Sequence, residues 1–392
     1  MKCKKLLLLN LGSTSFKFRF YDYSTGTQAV AEGTVECSEN GACHIQLPDG
    51  KVNRKSGCAS CMEAFDLCIA LLREKGVLDS VKELDAVGYK AVHGGPVSGT
   101  QLVSEYILHT MEQFVPFAPA HNTVYLEMMR SLQQKYPELL QIARFETAFH
   151  QTIPEYRAVY GVPYEWEEKY GIRRYGFHGS SHEYIAHRMS ELQPEAKNII
   201  SIHLGGSCSL CAIQNGKSIA SSMGATPQGG LFQNNRVGDF DVFCLPLLVQ
   251  QYGSLDETMR QLCTQSGLKG LSGVSNDLRE VLKARDNHDP RADLAVQAFV
   301  DNVVGYVGMF AAYLCGIDAI VFTGGIGQNC APVREMVCKK LKLFQLKLLP
   351  YGDERAKDYK ISTPDSGAAV WVIAANEELV LARHIRQYVQ TL

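Results

Sequence analysis

The chain carries almost no excess charge of either sign: 39 Lys and Arg stand against 41 Asp and Glu, a formal net charge of −2. That near-balance excludes broad electrostatic binding to nucleic acid or to an acidic membrane surface, so any anionic ligand must be captured by local cations. Long apolar runs are also scarce. The early LLLL is shorter than a signal-peptide core, and no stretch is expected to be long and charge-free enough to cross a bilayer. Cytoplasm is the expected location. Neither the P-loop GxxxxGK[ST] nor the dinucleotide fingerprint spacing is present, so a nucleotide-binding reading needs a different fold. The 13 cysteines are odd in number and scattered, which suits a reducing compartment better than a disulfide framework. Two CxxC pairs occur, Cys58/Cys61 and Cys208/Cys211. Cys61 and Cys68 fall on a helical pattern as small core residues, and a spacing of three on a strand points Cys208 and Cys211 to opposite faces. Core cysteines are expected there, not a shared metal site.

What is present in duplicate is more informative. LLLLNLGSTSFKFRFYD (6–22) and IISIHLGGSCSLCAIQNG (199–216) each run from apolar residues to one polar residue, Asn10 or His203. Leu-Gly, a run of small residues and a second strand pattern follow in both. A strand, a tight Gly/Ser turn and a returning strand bring backbone N–H groups close to an anion. One such hairpin turns on Gly and Ser for steric reasons often enough. Two copies, one early and one mid-chain, imply a duplicated domain with phosphates held where the halves face each other.

At 392 residues the chain is long enough for two or three domains. Strand and helix patterns alternate along it. The first hairpin is followed by a polar segment at 37–57, a helix ending near Gly76, and a buried strand, AVGYKAVH, closing on Gly94-Gly95-Pro96. Helical patterns cover 122–136 and 180–192, and Asn215-Gly216 is a strong hairpin turn. A long apolar helix follows Pro290, and a last helix spans about 376–389. Between them, the apolar strand AIVFT runs into Gly324, Gly325 and Gly327, where a planar base or a phosphate can lie against backbone.

The segments NLGSTSFK, AVHGG, APAHN, FETAFH, RRYGFHGSSH, IHLGG, SMGATPQGG, NNRVGD, GLSGVSNDLR, FTGGIGQN and NEEL resemble, in order and rough spacing, those of the acetate kinase family. The resemblance runs over essentially the whole chain, and FHGSSH with FTGGIG is highly specific. It implies an α/β fold of two duplicated actin-like (ribonuclease H-like) domains around a nucleotide cleft. The expected domains are 1–149 with 378–392, and 150–377 as the nucleotide and dimer domain. The implied activity is reversible phosphoryl transfer from ATP to a short-chain carboxylate, giving acyl phosphate and ADP, with Mg2+, in a homodimer.

The chemistry explains the residue types. A carboxylic acid with a pKa near about 4–5 is already ionised at neutral pH. Positioning and cations should therefore dominate over general base catalysis. By resemblance, Arg236 and Lys90 are the flanking cations, and His178 donates to the transferring phosphoryl group with His121 nearby. Asn10, Ser13, Ser15 and Lys17 match the first phosphate loop; His203, Gly205 and Gly206 match the second. Glu377 and Asn10 fall at the magnesium-linked positions, and Glu146 at an acidic active-site position. Asp277, Arg279, Gly324, Gly325, Gly327 and Asn329 match the nucleotide pocket. Val92, Ala120, Phe177 and Pro227 are the expected walls around the acid.

The bland readings are specific too. Arg236 beside Asp239 is compatible with a structural ion pair, and Glu377-Glu378 at a helix start would favour its dipole with no metal at all. Four positions depart from the family: Lys90 stands for Arg, Glu146 for Asp, Gly206 for Asn, and Ala120 for Leu; Ser207 also replaces a Gly. Lysine keeps the charge and loses the bidentate fork. The added methylene of Glu146 is expected to compensate the shorter cation, keeping the pair together. Ala120 leaves room for extra methylenes, each worth about 0.8 kcal/mol when buried, so propionate or butyrate is expected to compete with acetate. Two other activities fit parts of the pattern: a catalytically weakened nucleotide-binding paralogue with a sensing or assembly role, and a kinase using another donor such as pyrophosphate.

Overall fold

The computed structural model describes residues 3–12, 14–38, 40–47, 49–350 and 358–392. The chain divides into two compact units, Met1–Ala148 with Asn376–Leu392, and Phe149–Ala375.

In the first unit the apolar run becomes β1 (Lys5–Gly12), which turns back antiparallel into β2 (Ser15–Asp22), with Asn10 paired to Lys17. Alternation sends Leu7, Leu9 and Leu11 into one core and Leu6 and Leu8 into another on the opposite face. Each such buried side chain contributes about 1.5–3 kcal/mol. The sheet continues with β3 (Ala29–Glu36), β4 (Ala42–Leu47), β5 (Gly50–Lys55), β6 (Ala86–Ala91), β7 (Thr100–Leu102) and β8 (Gln141–Phe145). Its order is β5-β4-β3-β2-β1-β6-β8-β7. β1, β6 and β8 are mutually parallel in neighbouring pairs. The polar segment at 37–57 thus contributes β4 and β5 to the sheet. Cys43, Ile45 and Leu47 alternate into the core while His44 and Gln46 face away, a period-2 signal hidden by its polar half.

The second unit repeats the plan. β9 (Asn198–Leu204) and β10 (Cys208–Gln214) form the second hairpin, and β10 turns through Asn215 (φ 50°) and Gly216 (φ 78°) into β11 (Lys217–Ser221). Both positive φ values suit the Asn-Gly hairpin turn. With β12 (Ala319–Thr323), β13 (Asp358–Lys360) and β14 (Ala369–Ile373), the order is β11-β10-β9-β12-β14-β13. β9, β12 and β14 are again parallel in neighbouring pairs. Each sheet thus holds an antiparallel hairpin followed by two parallel strands, the duplicated actin-like fold. Cys208 and Cys211 point into cores on opposite faces of this sheet.

One expectation needs correction. The helix Pro290–Leu314 is long and apolar enough, by length and composition, to cross a bilayer. Its Phe299, Val303, Val307 and Phe310 are fully buried in the core of the second unit, which accounts for the composition. The Asp289 carboxylate caps its first turn.

Candidate functional site

In the first unit, Lys90 lies near the end of β6 with its ammonium hydrogen-bonded to Glu377, the first residue of the helix Glu377–Thr391. Glu146, just past β8 and 3% exposed, has Oε2 3.9 Å from the same Nζ. Burial alone would lower the Lys90 pKa; the two carboxylates outweigh it and raise it above the ordinary value. Lys90 and Glu146 thus stand within ion-pair distance, and the start of the C-terminal helix supplies a second, closer partner. The neighbouring Glu378 faces Arg19, whose Nη1 is 3.7 Å away and whose Nε is 2.9 Å from Glu32.

A cavity of about 530 Å³ on this unit is lined by Asn10, Lys17, Arg19, His44, Lys51 and Glu378, among others. Glu378, rather than Glu377, shares that cavity with Asn10. Ser15 opens β2 opposite Gly12; Ser13 lies outside the described residues. Val92 is half-buried, and Ala120 is exposed with His121 half-buried in the first turn of the helix Pro119–Lys135. The fully buried Asn122 clamps that turn. Its Nδ2 donates to the carbonyls of His93 and Met111, at 2.8 and 3.0 Å, and its Oδ1 accepts from His93 N–H.

In the second unit, the acceptors that hold Arg236 among the described residues are all neutral: Ser207 Oγ (3.2 Å), Gln233 Oε1 (3.3 Å) and the Pro227 carbonyl (3.4 Å). Burial pushes its pKa down, as expected of a cation held from water without a counter-ion. Asp239 is engaged elsewhere, accepting from Gly230 N–H and from the Tyr306 hydroxyl. The structural ion pair between Arg236 and Asp239 is therefore absent among the described residues. Gln233, fully buried, is the anchor: Oε1 also accepts from Ser207 at 2.7 Å while Nε2 donates to Pro227 O at 2.9 Å.

His178 stands at φ 55°, a left-handed conformation rare for a non-glycine residue, immediately before the helix Gly179–Leu192. Its Nδ1 is 2.8 Å from Ser209 Oγ, and its ring stacks on His203 at 4.3 Å. His203 in turn meets Ser181 Oγ at 2.8 Å. Phe177, one residue earlier, is buried, and its carbonyl accepts from His150 Nε2 at 2.9 Å.

A cavity of about 520 Å³ gathers Gly205, Gly206, Asp277, Arg279, Gly325 and Asn329 with Asn234 and Asn276. Asp277 caps the helix Leu278–Asp286 and accepts from the Arg279 guanidinium. That contact holds its carboxyl at about 2, below the usual range. Gly324 and Gly327 do not line the cavity. Gly324, at φ 77°, sits where a Cβ would be 2.6 Å from the Leu204 carbonyl, so it allows the strand end to approach the hairpin. At Gly206 a Cβ would meet nothing within 4 Å. The departure there removes a side chain without a steric need.

Sequence reasoning missed Arg19, Asn122, Gln233 and Asn234. Asn234 lies in the quoted NNRVGD segment, and its buried Oδ1 lacks a hydrogen-bond partner among the described residues. That leaves an acceptor in the wall of the cavity for a bound donor.

For a divalent cation, the oxygen donors Asn10, Glu377 and Glu378 suit Mg2+, which takes one or two protein oxygens and completes its shell with water and substrate phosphate. Among the described residues no group of three or more His, Cys, Asp or Glu side chains forms a metal cage.

The family model described as the Acetokinase family matches residues 5–383. The chain is 37% identical over 398 residues to the acetate kinase of Halothermothrix orenii, covering 99% of this chain and 100% of that protein. Identity to the acetate kinase of Dictyoglomus thermophilum is 39% over 394 residues, 97% and 98% of the two chains. Among solved structures, Porphyromonas gingivalis acetate kinase superposes with a TM-score of 0.85 at 34% identity, covering 98% and 99%. A Francisella tularensis propionate kinase gives 0.88 at 34%, covering 97% and 98%.

Proposed function

The chain belongs to the acetokinase family, and from that premise we propose how its residues carry out ATP-dependent phosphoryl transfer to the carboxylate of a short-chain fatty acid. The acceptor arrives ionised, so it needs no base; it needs its repulsion from the γ-phosphate screened. The observation that carries the assignment is Arg236, whose guanidinium is gripped by three neutral acceptors and by no carboxylate among the described residues. Its charge is left for a bound anion. His178 adds a hydrogen bond to the transferring phosphoryl group, where charge develops. His121 lies in a turn fixed by Asn122 and serves as a second donor.

Lys90 orders Glu377 and Glu146. Asn10, Ser13, Ser15 and Lys17 take one part of the phosphate chain, and His203, Gly205 and Gly206 another. Asp277, Arg279, Gly325 and Asn329 hold the nucleoside, with Gly324 and Gly327 shaping the turn. Mg2+ accompanying ATP would be held through Glu377 and Asn10 and would supply charge neutralisation at the phosphates. Val92, Ala120, Phe177 and Pro227 are each proposed as contacts for the acid. An alanine at 120 leaves space for propionate or butyrate beside acetate.

The second unit is the nucleotide and dimer domain, supported by exposed apolar residues on two successive helices, Leu245–Tyr252 and Leu255–Thr264, and just before them. Val242, Phe243, Leu247 and Leu255 are 62%, 88%, 69% and 54% exposed, a cluster that marks an association surface. All 13 cysteines are free thiols, which fits a reducing cytoplasm. The weakened paralogue is not favoured, since Arg236, His178, His121 and the glutamate pair are all retained.

Replacing Arg236 by alanine is the direct test. Turnover should fall by about a hundredfold or more, as for loss of a transition-state donor, with the far-ultraviolet spectrum unchanged. Turnover within twofold of the parent would remove Arg236 from the mechanism.

A further inference from the structure

Behind His178, one histidine and two serines form a hydrogen-bonded chain in which one direction places every proton. His182 is fully buried on the helix Gly179–Leu192, with Nδ1 2.9 Å from Ser201 Oγ and Nε2 2.8 Å from Ser209 Oγ. Ser201 is on β9 and Ser209 on β10, and both are fully buried. Ser209 Oγ also meets His178 Nδ1, at 2.8 Å. Burial, reinforced by the neighbouring His150 and His203, pushes the His182 pKa well below the ordinary imidazole value, so its ring is neutral. A neutral imidazole has one N–H and one lone pair.

Two directions are conceivable. If His182 donates from Nδ1 to Ser201, the Ser201 hydroxyl proton is left without an acceptor, since Ser201 makes no other side-chain hydrogen bond among the described residues. A buried donor left unsatisfied loses its bond to water and gains none in return. In the opposite direction every proton is placed. Ser201 donates to His182 Nδ1, His182 Nε2–H donates to Ser209, and Ser209 donates to His178 Nδ1. A neutral His178 accepting at Nδ1 carries its own proton on Nε2.

The backbone around His178 is held as firmly as its ring. Gly176 and His178 both have positive φ, 73° and 55°. The Phe177 carbonyl between them accepts from His150 Nε2–H, which fixes that ring's tautomer, while Ser218 lies 2.8 Å from its Nδ1. A strained conformation pinned from two sides is the kind of arrangement found where a side chain must be presented in one pose.

We propose that Ser201, His182 and Ser209 are positioning residues that fix neutral His178 as the Nε2–H tautomer. The chain makes His178 a hydrogen-bond donor and withholds Nδ1 from solvent. This rests on the reading of His178 as the donor to the transferring phosphoryl group; it adds the three residues that set its proton. An ionised acceptor has no proton to give up, so a fixed donor is what the transfer uses.

The test is 15N NMR of the full-length protein with labelled histidine, the His178 resonances being assigned by their loss in His178→Asn. Nδ1 should have the shift of an unprotonated ring nitrogen and Nε2 that of a protonated one; the reverse pattern, or an equal mixture, would overturn the proposal. Ser201→Ala should turn His178 into a tautomer mixture and lower kcat about fivefold, the value of one neutral hydrogen bond, with KM for ATP and for acetate unchanged. Ser201→Thr should restore both. A Ser201→Ala protein that keeps the single tautomer contradicts the directed chain, and if that variant does not fold, the shifts of the unsubstituted protein decide alone. Should the Nε2–H tautomer be found while His178→Ala retains full kcat, the chain stands and the reading of His178 as donor falls.

Discussion

Lys90 holds two carboxylates, and its removal would withdraw the positive charge that faces both. Glu146 and Glu377 are each largely withdrawn from water, with side-chain exposures of 4% and 14%, and a buried ion pair broken from one side typically costs about 3–5 kcal/mol. Lys90→Met should therefore lower the free energy of urea unfolding at pH 7 by an amount in that range, seen as a lower midpoint. An unchanged midpoint would mean that the carboxylates take up protons or solvent at little cost. At the neighbouring positions the chain's departures have different weights. Gly206 opens space that nothing among the described residues fills, whereas Ser207 adds a hydroxyl that touches both Gln233 and Arg236 and steadies the cation of the proposed mechanism.

At the scale of elements, the short 3₁₀ segment Ala148–Thr152 carries His150 into the second core. Burial pushes its pKa down from 6.5 to about 4. Between these values the unfolded chain binds more protons than the folded one, so the stabilisation is complete above 6.5 and is lost as pH falls through about 4. A shift of that size corresponds to about 3 kcal/mol. His182 acts in the same direction. Urea unfolding followed from pH 7 to pH 4.5 should show stability falling with acid, and His150→Gln should flatten the slope; parallel slopes would count against a neutral buried His150.

The elements also show what the sequence could reveal. The two hairpins, the Asn215-Gly216 turn and the strand entering Gly324 were legible because turns and apolar strands carry local signals. β4 was not, since its polar residues hide an alternation that only a neighbouring strand resolves, and β5, exposed except at Val52, carries no period at all. Arg19 meets Glu378 across 359 positions of sequence, and Asn122 acts on the exit of β6. Such partners are set by sheet order, which no local window contains. The Lys90–Glu377 contact joins β6 to the last helix for the same reason.

At the scale of the whole molecule, the repeated strand order in the two sheets accounts for two hairpins with the same chemistry. Duplication supplies a second set of loop amides and leaves each unit a core of its own. The exposed apolar residues of the second unit set the expected assembly. Phe243→Glu combined with Leu247→Glu should convert a dimer to a monomer in sedimentation velocity, and an unchanged sedimentation coefficient would place the interface elsewhere.

The most direct measurement is hydroxylamine trapping of the product, with ADP measured in parallel, using purified protein, ATP, Mg2+ and each acid from acetate to butyrate. Acyl hydroxamate should appear one-for-one with ADP for acetate and propionate. ADP released without hydroxamate, or neither product with any acid, would contradict phosphoryl transfer to a carboxylate.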